Sequence, residues 1–154
     1  MSRWSETRRI LVPVDFSDSA RPIVDCAVDM ARGLGAEVFL IHVLEQAVPA
    51  GSGAAESKAV AAERTASEKS LGELAAAADP SKQVKIHGKV VAGPPSREIV
   101  REAVDGKADL IVIGTHGRTG LRHVFLGSVA EDVVRSSPCP VYTLRLKGFE
   151  AGRK

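Results

Sequence analysis

Short apolar segments alternate with amphipathic segments along this chain. The apolar runs are rich in Val, Ile and Leu and predict five strands, at residues 10–14, 38–44, 84–90, 109–114 and 141–146. Between them, apolar residues recur at the spacing of helices that bury one face. The resulting order, βαβαβαβαβ, predicts an α/β fold in which helices cover both faces of a parallel sheet.

The third strand differs from the others because apolar and polar residues alternate in it. Lys85, His87 and Lys89 occupy one side of this segment, which indicates a half-exposed strand at a sheet edge. No internal linker interrupts the pattern. We therefore predict a single domain over residues 1–154, with its core at about 9–146 and a frayed tail at 147–154.

Composition excludes several classes of function. The 154 residues are 44% hydrophobic and 26% charged with a net charge of +2, which is too small to indicate a nucleic-acid partner. No run of about 18 apolar residues predicts a membrane span, and the first residues do not resemble a signal peptide. Cys26 and Cys139 form no CxxC pair and are expected to be reduced thiols. These features favour a cytoplasmic protein.

The glycine-punctuated segment after the fourth strand is the strongest candidate for chemistry. Gly114 follows a strand, Gly117 comes three residues later, and Gly127 and Ser128 open a helix. Phosphates need backbone N–H groups at close approach, and the start of a helix offers several of them. Glycines that only form turns would give a similar pattern. The GxxxxGK[ST] loop and the GxGxxG fingerprint are both absent, which argues against P-loop enzymes and dinucleotide binding.

Asp15 ends the first strand, where ligands of parallel sheets bind, and two interpretations of it stay open. Its carboxylate could serve a ribose or a phosphate-bound metal, or it could cap the following turn. The spacing of His42, His87, His116 and His123 fits no metal motif. His42 lies in a buried strand and is expected to be a hydrogen-bonded core or crevice residue. No set of residues forms a recognisable catalytic group.

Several of these segments together resemble the universal stress protein A family. The resemblance rests on residues 10–17, on His42 and Val43 at the end of the second strand, on residues 108–118, on residues 127–130 and on residues 139–141. The nucleotide motif of that family, G-x2-G-x9-G-[ST], is matched by Gly114, Gly117, Gly127 and Ser128.

The resemblance implies a five-stranded sheet in the order 3-2-1-4-5 that binds ATP, possibly with Mg²⁺. The main chain of Val43 would read the adenine edge, and Ile113 would pack on the nucleoside. Base and ribose would lie near Pro13, Val14 and Asp15. The phosphates would be held by Gly114, Gly117, Gly127, Ser128 and Val129.

Three functions are compatible with this pattern. The favoured one is a nucleotide-dependent regulatory module in a stress response, with an adenine nucleotide as its ligand. The second is a slow ATP hydrolase or phosphotransferase, and the third is a dimerising module without nucleotide. We also predict a homodimer through the last strand, because this sheet edge is largely apolar and carries only Arg145 as a charged residue.

Overall fold

Strands and helices alternate as the hydrophobic pattern predicts. The computed structural model describes residues 3–45, 55–115 and 126–146. Its strands are β1 (Arg9–Pro13), β2 (Glu37–Leu44), β3 (Ile86–Ala92), β4 (Leu110–Gly114) and β5 (Val141–Leu144). Its helices are α1 (Ala20–Leu34), α2 (Lys58–Ala78), α3 (Pro95–Asp105) and α4 (Ser128–Ser136). The predicted tail at 147–154 lies outside the described residues.

The five strands form one parallel sheet in the order β3-β2-β1-β4-β5. This order confirms the predicted α/β architecture. The chain winds outward in one direction from β1 to β3 and in the other from β4 to β5. The carboxyl ends of β1 and β4 therefore flank the point where the direction reverses, which is where such sheets bind ligands.

Two hydrophobic cores lie on opposite faces of the sheet. Val12 and Leu40 belong to the cluster that α1 and α2 cover, whereas Leu11 and Ile111 belong to the cluster that α3 and α4 cover. Neighbouring strand residues point to opposite faces, so strands covered on both sides read as continuous apolar runs. This explains why β1, β2 and β4 are largely apolar in the sequence.

Local residues define the end of α1 and the start of α2. Gly35 adopts φ 65° after α1 and donates its backbone N–H to Ala31 O, which is the usual left-handed helix end. Ser57 caps α2 by accepting a hydrogen bond from Val60 N at 3.2 Å. None of the helices within the described ranges is long and apolar enough to cross a membrane.

β3 is an edge strand, as predicted, and its polar side chains are exposed. His87 Nε2 lies 2.9 Å from Glu37 Oε2 on β2, and Lys89 Nζ lies 2.6 Å from Glu102 Oε1 on α3. On the other face, a Cβ at Gly88 would lie 3.3 Å from Leu71 Cβ, so glycine lets α2 pack closely on this strand.

The turn between α2 and β3 is organised by a buried carboxylate. Asp79 is 3% exposed, and its Oδ2 accepts a hydrogen bond of 2.7 Å from Val84 N. Its Oδ1 accepts bonds from Ser81 Oγ at 2.9 Å and from Arg32 Nη2 at 3.3 Å. The Val84 amide, followed by Ser81 and Arg32, holds the pKa of this carboxyl below its ordinary value of 3.8.

This lowered pKa predicts a loss of stability in acid. The folded state favours the ionised carboxylate, so the contribution of Asp79 is present above pH 3.8 and is lost as the pH falls through the lower folded pKa. We expect the free energy of unfolding of Asp79→Asn to depend less on pH in this range than that of the wild type. Urea titrations at a series of pH values measure this dependence.

Asp29→Asn is the control, because it removes an exposed partner of the same Arg32. It should keep the wild-type dependence of the free energy of unfolding on pH. Equal slopes for all three proteins would contradict the assignment.

Candidate functional site

Pro13 separates β1 from β4 at their carboxyl ends. Val14 N donates to Ile41 O on β2 at 2.8 Å. Successive backbone N–H positions alternate in direction along a strand, so the nitrogen of Pro13 faces β4, and proline has no N–H to donate. The pairing of β1 with β4 accordingly covers Ile10–Leu110 and Leu11–Ile111, whereas pairing with β2 extends to Pro13. The unpaired ends of β1 and β4 therefore border the position at which a sheet of this strand order is expected to form a binding crevice.

The turn after β1 is tightly organised. Asp15 Oδ1 accepts a hydrogen bond from Ser17 N at 3.0 Å, which closes an Asx turn. Phe16 between them has φ 57°, a left-handed conformation that is uncommon for a bulky residue. The capping interpretation of Asp15 is therefore realised in the structure. Its half-buried carboxylate nevertheless stands at the carboxyl end of β1, beside the crevice.

His42 supports this turn from β2. The residue is 7% exposed, its Nδ1 lies 2.7 Å from Val14 O, and its ring centroid lies 4.5 Å from that of Phe16. A carbonyl oxygen only accepts, so Nδ1 must carry the proton of this hydrogen bond. The expectation of a hydrogen-bonded crevice histidine is confirmed.

The start of α4 lies against the end of β4. Thr115 N donates to Leu144 O on β5 at 2.9 Å, and Thr115 O accepts from Gly127 N at 2.6 Å. The helix ladder begins with the bond from Glu131 N to Gly127 O at 2.9 Å. The amides of Ser128, Val129 and Ala130 precede this ladder, and the positive end of the helix dipole adds to them. This arrangement suits an anion such as a phosphate.

Apolar site residues line the sheet on the α3 and α4 side. Val43, Ile113 and Val129 all belong to the hydrophobic cluster of that face. Ile113 is only 5% exposed, so most of its surface is already covered by protein. Val14, at 5% exposure, belongs to the opposite cluster with α1 and α2. The expected crevice thus lies between the two cores, at the carboxyl end of the sheet.

The described structure brings most of the predicted site residues to one end of the sheet. On β1, the last residue is Pro13, and Val14 and Asp15 follow it. On the neighbouring strands, Val43 lies near the end of β2, and β4 ends with Ile113 and Gly114. Gly127, Ser128 and Val129 form the start of α4, where Ser128 is exposed. Gly117 and the rest of the segment 116–125 lie outside the described residues.

Electrostatics give no sign of a metal centre or reactive thiol in the described part of the chain. No group of three or more His, Cys, Asp or Glu side chains there could hold a metal ion. Cys26 and Cys139 are free, and burial, the largest cause, raises the pKa of both thiols. Neutral thiols are poor nucleophiles at ordinary pH.

Two features of the site escape sequence reasoning. The left-handed conformation of Phe16 has no sequence signal, because glycine, asparagine and aspartate are the usual residues there. The bond between His42 and Val14 O depends on the register of β2 against β1. That register places His42 beside the residue that follows Pro13.

Comparisons with known proteins agree with this geometry. The model of the universal stress protein family matches residues 6–145. The universal stress protein MJ0531 of Methanocaldococcus jannaschii is 36% identical over 140 residues, which are 90% of this chain and 82% of that protein.

Solved structures of similar fold include nucleotide complexes. A universal stress protein in complex with cAMP is 25% identical with a TM-score of 0.68, and the match covers 90% of this chain and 97% of that one. The universal stress protein from Archaeoglobus fulgidus in complex with dAMP is 26% identical with a TM-score of 0.63, covering 88% and 96%. Both ligands are adenine nucleotides.

Proposed function

Since this chain belongs to the universal stress protein family, we propose that it is an ATP-binding regulatory module. The observation that carries the proposal is the end of the β1–β4 pairing at Leu11–Ile111, together with the start of α4, whose first backbone amides precede its own hydrogen-bond ladder. Structural relatives in complex with cAMP and dAMP support an adenine nucleotide as the ligand. The free thiols Cys26 and Cys139 support a cytoplasmic location.

In this proposal the base lies against the end of β2. Backbone groups alternate along a strand, and Ile41 O accepts from Val14 N on the β1 side of β2. The N–H and C=O of Val43 therefore face the same side, beyond the point where β1 ends at Pro13. A main-chain N–H there can donate to N1 of adenine. In guanine that nitrogen carries a hydrogen, so guanine fits the same position poorly.

The phosphates would extend toward β4 and α4. Gly114, Gly117, Gly127, Ser128 and Val129 would hold them through backbone N–H groups and the Ser128 hydroxyl. Ile113 would contact the nucleoside, and Pro13, Val14 and Asp15 would border base and ribose. Mg²⁺, if present, would be bound by the phosphates, and Asp15 would supply the one charged side chain among the proposed site residues.

Substitution of Asp15 distinguishes a role in ligand binding from a role in closing the turn. If its carboxylate serves the ribose or the metal, Asp15→Ala should weaken ATP binding by about 1–3 kcal/mol, the effect of losing a charge-assisted hydrogen bond. If it only closes the turn with Ser17 N, stability should fall by about 1 kcal/mol while affinity is unchanged. Calorimetric titration and urea unfolding measure the two effects.

Asp15→Asn is the matched control. The amide oxygen can still accept from Ser17 N, so the turn and the stability should persist while the charge is lost. We expect Asp15→Asn to bind ATP nearly as weakly as Asp15→Ala. Wild-type affinity in both variants would remove Asp15 from the site.

A slow ATP hydrolase or phosphotransferase is the alternative. One experiment distinguishes the regulatory module from the enzyme. The purified protein is incubated with ATP, free nucleotide is removed, the protein is denatured and the released nucleotide is identified. Intact ATP supports the regulatory module, ADP supports turnover, and no adenine nucleotide contradicts both.

We also propose that the protein is a homodimer through β5. This strand is an edge of the sheet. Tyr142 in the strand is 43% exposed, and Leu146, two residues beyond its end, is 39% exposed. Its odd-numbered residues direct their backbone groups outward, because Pro140 O and Leu144 O accept from β4 and Thr115. Two such edges can pair antiparallel about a twofold axis.

A further inference from the structure

His42 sits where the parallel ladder between β1 and β2 would add one more backbone bond. The ladder reaches Val14 N, which donates to Ile41 O at 2.8 Å. In a parallel pair, the next bond would run from the N–H of Val43 to the oxygen of Val14. His42 Nδ1 lies 2.7 Å from that same oxygen.

Burial and a contact with the Phe16 ring hold the ring of His42 in place. The residue is 7% exposed, and its centroid lies 4.5 Å from that of Phe16. Phe16, two residues after Val14, has φ 57°, a left-handed conformation. The hydrogen bond and the ring contact thus hold the same strained turn from two sides. Bulky residues keep such a conformation only where their surroundings enforce it.

We propose that His42 is a positioning residue that keeps the amide of Val43 available to the ligand. It engages Val14 O and holds the Phe16 turn, so that β1 ends at the crevice instead of extending along β2. The Val43 N–H then faces the space that an adenine edge would enter. This inference rests on the proposed nucleotide function, but its structural part can be measured without any ligand.

Amide hydrogen exchange by NMR tests the structural part. In His42→Leu the donor is absent, and Val14 O becomes the acceptor of the Val43 amide. We expect Val43 exchange to slow in this variant. General destabilisation would accelerate exchange instead, so the sign of the change distinguishes positioning from a purely structural role.

Nucleotide titration tests the consequence for binding. We expect His42→Leu to bind ATP roughly tenfold more weakly, the effect of about one hydrogen bond, and to discriminate less between ATP and GTP. His42→Asn places an amide donor close to the position of Nδ1 and should restore both properties, whereas His42→Gln places it farther along and should not. His87→Asn, on the exposed edge strand, is the control and should behave as the wild type.

The outcomes separate the inference from the proposed function. Unchanged or faster Val43 exchange in His42→Leu overturns the inference, as does equal ATP affinity in wild type, His42→Leu and His42→Gln. If the wild type binds no adenine nucleotide, the proposed function fails, and the exchange measurement still decides whether His42 controls the Val43 amide. If His42→Leu does not fold, the Asn and Gln variants make the same comparison.

Discussion

Replacing Gly127 by valine is expected to weaken nucleotide binding severely and leave the fold intact. Gly127 has φ −66° and ψ 159°, an extended conformation open to any residue, so its backbone does not require glycine. Its N lies 2.6 Å from Thr115 O, at the start of the helix that would hold the phosphates. A branched side chain there should weaken ATP binding by roughly a hundredfold, the effect of about 3 kcal/mol of steric overlap.

Calorimetric titration of folded Gly127→Val with ATP checks this expectation. Gly72→Val is a matched control, because a Cβ at Gly72 meets nothing within 4 Å and the residue lies on the exposed side of α2. The control should bind ATP as the wild type does. A folded Gly127→Val protein with unchanged affinity would place the phosphates elsewhere.

Replacing Thr143 by proline is expected to convert the proposed homodimer into monomers. Thr143 pairs with Ile113, yet its own N–H faces away from β4, because the inward groups belong to the even-numbered neighbours. Proline at this position removes an outward donor and leaves the bonds of the sheet in place. When a second β5 edge pairs with this one, one hydrogen bond between the strands is lost and the proline ring clashes with the partner strand.

Light scattering at micromolar concentration measures the molar mass of each protein. Thr143→Ala keeps the N–H and should remain dimeric, which controls for loss of the side chain. A folded, dimeric Thr143→Pro would move the interface to another surface. A monomeric wild type would contradict the homodimer itself.

The fold could be predicted from the sequence because its signals are local and repeated. Uniformly apolar runs such as residues 10–14 occur where both sheet faces are covered, and Lys85, His87 and Lys89 mark an exposed edge. The strand order cannot be predicted in this way, because no local pattern in the chain specifies it. It came from the family resemblance and is confirmed by the structure.

The candidate site was predictable only in part. Glycines and an aspartate at strand ends predict its position, because topology dictates where parallel sheets bind ligands. The left-handed turn at Phe16 carries no sequence signal, and the bond from His42 to Val14 O depends on the register of β2 against β1. Register is a property of the folded sheet, and a single sequence carries little information about it.

The central claim is that this protein binds ATP at the crevice between β1 and β4, and titration of the wild type tests it most directly. Calorimetry with ATP, ADP and AMP, with and without Mg²⁺, should give saturable isotherms, with GTP binding more weakly. At ATP a hundredfold above its dissociation constant, linkage should stabilise the fold by about 2.7 kcal/mol and raise the melting temperature by about 5–10 °C. A flat isotherm together with an unchanged melting temperature at millimolar Mg-ATP would contradict the account.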